Sequence, residues 1–162
     1  MHIVTQGSRV KREGKDRQWQ TSKSLGALVS WLAIDGKKIE LMKPQKFMNR
    51  SGLAVVVAKK KHPKLKMENI YVVHDDLDIE IGRFKIAFGK GPRVHNGLQS
   101  IYEQLGTKDF WHVRIGIDNR DKTSFKGDGE DYVLGNWLPE EKEVVERVVV
   151  DVVNDLMNNY LN

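Results

Sequence analysis

Residues 70–78 read IYVVHDDLD. The run from Ile70 to Val73 is apolar at successive positions, without the alternation of a half-exposed strand. A strand of that kind is buried on both faces, so it belongs in the middle of a sheet with packing layers on each side. The run then ends in one histidine and three aspartates, which burial does not ask for. In open α/β sheets ligand sites form beyond the carboxyl ends of strands, so His74, Asp75, Asp76 and Asp78 mark a candidate site. Three readings of the cluster stand side by side. One carboxylate orients a histidine base, or the aspartates cap a turn into residues 79–82, or they hold a hard cation.

The rest of the chain supplies the layers. Residues 27–35 and 38–42, joined at Asp35-Gly36, predict a β-hairpin. Residues 83–88 alternate charged and apolar side chains, as a half-buried strand does, and 113–117 predict a further strand. Helices are predicted over the segment after Ser51, which serves as N-cap with Pro63 marking the end, and over 96–105 with Gly106 as its stop. The longest helix is predicted over 139–161. Pro139 and the early glutamates suit its first turn, and Val145, Val148, Val149, Val152, Leu156 and Met157 form its apolar face. Residues 7–24 are polar, glycine-containing and basic and read as a loop or a frayed element. Strands interleaved with helices give an α/β fold, a single domain over 1–162 with a mixed, mostly parallel central sheet flanked by helices. Residues 1–20 are expected to be poorly ordered.

Composition narrows the setting. The absence of cysteine excludes a disulfide scaffold and thiol chemistry. No apolar run approaches the roughly 20 residues of a membrane span, and the start of the chain has no signal-peptide pattern, which predicts a cytoplasmic protein. The formal charge is 27 − 22 = +5. Positive charge gathers in residues 9–23, 58–66 and 83–93, while the segment from Pro139 onward is acidic. Such asymmetry fits a polyanionic partner on one face, or a set of ordinary solvated lysines.

Two further stretches carry polar residues beside helix starts. FGKGPRVHNG (88–97) separates a strand from a helix. Val94 stands where a dinucleotide fingerprint has its third glycine, yet a glycine-rich loop opening a helix still binds phosphate through backbone N–H groups. Asn96 there is a ligand contact or simply the N-cap. In KPQKFMNRSG (43–52), Asn49 grips an amide or carbonyl of a ligand, or makes an Asx turn.

Taken in order, MNRSG, HDDLD, HNGLQSI, FWHVRIGI and DYVLGNW resemble the bacterial-type peptidyl-tRNA hydrolases, over most of the chain from Gly36 onward. The resemblance implies hydrolysis of the ester between a peptide, or an N-blocked amino acid, and the 3′ end of tRNA, recycling tRNA during translation. It implies a monomer that uses no metal or other cofactor. Asp75 would orient the catalytic imidazole and keep it basic. Asn49 would help position the substrate and that imidazole, and Asn96 would contact the substrate and the attacking water. Phe47 would pack near the tRNA 3′ end, with His95 as structural neighbour of Asn96. The basic segments 59–66 and 83–93, including Lys90 and Arg93, would meet tRNA phosphates.

The chain also departs from the family pattern. Its first strand, a G-x-x-N-P-G loop and the T-R-H-N motif that supplies the catalytic histidine have no counterpart in the sequence. The expectation is a sheet with a gap or an exposed edge, with His2, His74 and His95 as the remaining candidate bases. Arg93-Val94 stand where the family has small residues. A non-catalytic RNA-binding relative of the same fold is the alternative that this departure leaves open, and a generic phosphate-binding α/β domain explains only one of the five motifs.

Overall fold

The computed structural model describes residues 2–7 and Ile34 as backbone, and 19–33, 36–45, 47, 50–120 and 127–161 with their side chains. Seven strands share one sheet: β1 (His2–Gly7), β2 (Gln20–Ser22), β3 (Ala27–Ile34), β4 (Lys37–Pro44), β5 (Ile70–Glu80), β6 (Phe84–Phe88) and β7 (Trp111–Asp118). Their order across the sheet is β2-β3-β4-β1-β5-β7-β6. The helices are α1 (Ser51–Lys61), α2 (Asn96–Leu105), α3 (Gly129–Leu134) and α4 (Pro139–Asp155), the last closing in a π turn, Leu156–Tyr160.

The apolar run of β5 divides between two cores. Ile70 and Val72 are buried with Val55 and Ala58 of α1 and Leu98 and Ile101 of α2. Tyr71 is buried on the other face with Val148 and Val152 of α4. The result is three layers with β5 inside, as its continuous apolarity requires, and each such buried aliphatic side chain contributes roughly 1.5–3 kcal/mol. Helices α1 and α2 touch closely at Gly52. A Cβ on Gly52 would run into the Ser100 carbonyl, and the Gly52 N–H reaches Ser100 Oγ at 3.2 Å. Any larger residue would pry the two helices apart.

Several expectations hold. The hairpin forms, with Ile34 paired to Lys37 and Gly36 at φ +76°, while Asp35 lies outside the described residues. Helix α2 ends at Gly106 in the left-handed conformation. The sheet is mixed, but its mostly parallel character is not found: among the described pairings only β5–β7 is parallel. The connections at 23–26 and 35–36 are too short for anything but antiparallel neighbours. The paths from β5 to β7, which contains α2, and from β4 to β5, which contains α1, are long enough for crossovers, but β1 lies between β4 and β5, so the second gives no parallel pair.

The expected gap is absent too. His2–Gly7 lies between β4 and β5 and pairs antiparallel with both, so its backbone groups are satisfied on each edge. Residues 2–7 thus form a central strand. The loop reading of 7–24 is corrected at Gln20–Ser22, which pairs with β3, and residues 8–18 lie outside the described set. Ser51 is the first helical residue rather than the N-cap, because it is buried and Arg50 takes the cap position without a side-chain bond. On α4 the buried stripe is Val148, Val152 and Leu156, whereas Val149 stands 43% exposed. No described helix is long and apolar enough to cross a membrane.

Candidate active site

Strand directions decide which residues meet. β4 and β5 are each antiparallel to β1 and so run the same way, with Met42, Ile3 and Val72 in one row. Pro44 at the end of β4 is therefore level with His74, and β4 leaves the sheet at the end that carries Asp75. Helix α2 also begins there. Asn49 lies outside the described residues. Phe47 is 81% exposed at this end, and its carbonyl accepts the Arg50 N–H at 2.8 Å.

The acidic cluster is part of β5 rather than a turn beyond it. Asp75 and Asp76 still pair with Ile115 and Gly116 of β7, and the register shifts between Asp76 and Glu80. The three aspartates have three different fates. Asp76 is buried, accepts Arg114 Nε at 2.6 Å through Oδ2, and accepts the Asp78 N–H at 2.9 Å through Oδ1. That ion pair and turn fix the strand end. Asp78 is exposed and faces the Arg93 N–H at 3.5 Å, which ties the loop before α2 to β5. Asp75 remains for chemistry: its side chain is 32% exposed and its Oδ1 lies 3.3 Å from His95 Nε2.

His95 is the N-cap of α2, a role the sequence reading had offered to Asn96. Its Nδ1 accepts the N–H groups of Gly97 and Leu98 at 3.1 and 3.3 Å. Accepting there means that Nδ1 carries no proton, so the proton is on Nε2, which donates to Asp75. Burial alone would raise the Asp75 carboxyl, but the hydrogen bond and electrostatic pull of His95 outweigh it and hold the group below its usual value. Asp75 is thus an oriented carboxylate with Oδ2 unpartnered among the described residues. Asn96, the first helical residue, is exposed, and among the described residues neither its amide nor its backbone N–H is taken by a neighbour. Both point of supply and helix dipole favour a developing negative charge at this place.

Two of the candidate bases are excluded by geometry. Both ring nitrogens of His95 are occupied. His74 is 2% exposed; its Nδ1 donates to the Asp75 carbonyl at 2.8 Å, and burial pulls its pKa to about 4. His2 has its backbone opposite Val73, near this end of the sheet, and its side chain is outside the described set.

The basic segments are separated. Phe84 pairs with Ile115, itself level with Asp75, so Arg83 and Arg93 flank the site, with Lys90 exposed on the loop between β6 and α2. Lys59–Lys61 end α1 at the far end, where the chain turns back into Ile70. There Lys61 and His62 meet Glu40 at 3.7 and 2.8 Å. Gly91 passes so close to the Tyr102 hydroxyl that a Cβ would collide with it, and that Cβ would press tightly on the His112 ring. Two site residues escaped the sequence reading, His112 and Arg114. Their signal is the alternation of FWHVRIGI, which places Phe110, His112 and Arg114 on one face, two polar groups where burial is expected.

The sequence matches the family described as peptidyl-tRNA hydrolase over residues 9–162. A peptidyl-tRNA hydrolase of Geotalea daltonii is 44% identical over 119 residues, covering 74% of this chain and 60% of that protein. One of Geotalea uraniireducens is 40% identical over 134 residues, covering 83% and 68%. A crystal structure of peptidyl-tRNA hydrolase from Acinetobacter baumannii superposes with a TM-score of 0.68 at 27% identity, over 88% of this chain and 78% of that one. The chain spans 60% of the length of the first of these relatives. The HDDLD strand, the histidine-capped helix and the match over residues 9–162 agree, and this chain belongs to the peptidyl-tRNA hydrolase family.

Proposed function

We propose that this chain hydrolyses the ester between a peptide, or an N-blocked amino acid, and the 3′ end of tRNA. The observation that carries the reading is Asp75, a half-exposed carboxylate fixed by His95 at the end of β5, beside the donors of Asn96, which meet no partner among the described residues. In this reading the free oxygen of Asp75 orients the imidazole that removes a proton from water, as a carboxylate does in other hydrolytic sites. The water attacks the ester carbonyl, and the amide and backbone N–H of Asn96 stabilise the oxyanion. The attacking water's proton then passes from the imidazole to the departing ribose oxygen. Asn49 would hold the substrate from the α1 side, and Phe47 would offer an exposed aromatic face to the 3′ end. Arg93 and Arg83 would meet phosphates near the reacting bond, and Lys90, next to Gly89 at the start of β7, phosphates further from it. Segment 59–66, at the opposite end of the sheet, would touch tRNA only well away from it. A cytoplasmic monomer goes with this reading.

The test is release of an N-blocked amino acid from tRNA by the chain, compared with Asp75→Asn and His2→Ala. Loss of about 100-fold or more in kcat is expected for Asp75→Asn, with binding retained. Loss of turnover in His2→Ala would assign the base to His2. A chain that binds tRNA in a salt-dependent way but releases nothing would be the RNA-binding relative instead.

A further inference from the structure

His74 is buried to 2% exposure, yet it is not there for packing alone. Its Nδ1 lies 2.8 Å from the Asp75 carbonyl oxygen, so Nδ1 carries the proton and donates it. Nε2 is then a bare acceptor, and it meets no donor among the described residues. A leucine or phenylalanine would fill the same space without burying an unpaired nitrogen. The ring also stands edge-on between two other imidazoles. Its centroid is 5.2 Å from that of His95 at 82°, and 5.6 Å from that of His112 at 87°. His112 is stacked on Phe110 at 4.5 Å and so is fixed to the core. His95, on the other side, is the residue that holds Asp75 Oδ1.

We propose that His74 is a positioning residue for the Asp75–His95 pair, clamping the Asp75 main chain through its carbonyl and fixing the ring of His95 by edge contact. The carboxylate is then held at two places, at its own backbone and at its hydrogen-bond partner, which leaves it one direction in which to aim. Small errors of aim at such a group are costly. The arrangement needs a neutral imidazole. Burial keeps His74 neutral, with a pKa of about 4, so it donates at Nδ1 and brings no charge beside Asp75. The catalytic consequence rests on the hydrolytic reading above; the effect on Asp75 itself does not.

The experiment replaces His74 in the full chain by three residues. His74→Phe keeps an aromatic ring against His95 and removes the donor. His74→Asn restores an N–H close to the place of Nδ1, whereas His74→Gln puts it near Nε2. Two readouts need no activity: the Asp75 carboxyl titration by carbon NMR, and the Nε2–H resonance of His95. In His74→Phe the Asp75 carboxyl is expected to rise toward its usual value, while the His95 resonance stays sharp because the ring contact is kept. In His74→Asn the Asp75 titration should stay as in the parent, while the His95 resonance broadens because the ring is gone. In turnover, His74→Phe is expected to lose about tenfold or more in kcat with KM little changed, and His74→Asn to recover most of it. An unchanged Asp75 titration in a folded His74→Phe would overturn the proposal. Should that variant not fold, equal Asp75 titrations in His74→Asn and His74→Gln would overturn it as well. A parent chain that hydrolyses nothing would sink the function proposed above, while the two NMR readouts would still decide the role of His74.

Discussion

Arg114→Met is the most demanding test of the site's architecture. The Asp76 carboxylate is fully buried, its partner Arg114 is 16% exposed, and the two are 2.6 Å apart. At an effective dielectric of about 20, that separation gives roughly 6 kcal/mol of gross attraction. Most of it is returned as the desolvation of two ions, so the intact pair adds little net stability. Removal of one partner is different, since it leaves the other charge buried and alone, at a cost of about 3–5 kcal/mol. Asp76 keeps one hydrogen bond, from the Asp78 N–H, and Arg114 is not wholly dry. The lower part of that range, about 3 kcal/mol, is therefore expected. For a domain of this size this is a fall of roughly 6–12 °C in Tm. Urea unfolding should show a lower midpoint with an unchanged slope. The double variant Asp76→Leu, Arg114→Met should regain most of the loss, because both charges are gone. A cost under about 1 kcal/mol for Arg114→Met, or a double variant no more stable than the single one, would refute the reasoning.

Two other outcomes follow from the geometry. Burial pulls the pKa values of both His74 and His112 to about 4, below the value near 6.5 of an unfolded chain. The unfolded state therefore binds more protons between these limits, and stability, complete above about pH 6.5, falls by a few kcal/mol as the pH drops toward about 4; urea midpoints at pH 7.5, 5.5 and 4.5 check this, and a flat series would contradict it. Glu141 is buried and accepts from Asn119 Nδ2 at 3.0 Å, the Leu138 N–H at 3.0 Å and the Tyr132 hydroxyl at 3.4 Å, so Glu141→Ala should cost about 1–3 kcal/mol and raise hydrogen exchange at the start of α4.

The chemistry-bearing motifs were legible because each couples a local pattern to a local demand. The run before His74 could only be a doubly covered strand, and Asp35-Gly36 could only be a tight turn. Asp75 stood out because three carboxylates after such a strand have no packing rationale. The partners of those carboxylates were not legible. Period-two alternation places Asp75 on the face opposite His74 and Asp76, yet Asp75 meets His95, twenty residues later. Nothing local says that Asp76 belongs to Arg114 or that His95, not Asn96, caps α2, since both asparagine and an acceptor imidazole satisfy the same N–H groups.

By itself, then, the sequence determined the kind of layers this chain forms and the strand end at which its reactive groups collect, because burial and turn chemistry act over a few residues. The tertiary structure alone decided that β1 fills the middle of the sheet, that all but one of the described pairings is antiparallel, and that three aspartates divide into an ion pair, a loop tie and a carboxylate held by a histidine. Those outcomes depend on which distant groups arrive at hydrogen-bond distance, and that is set by strand order and crossover, which no short stretch of the chain encodes.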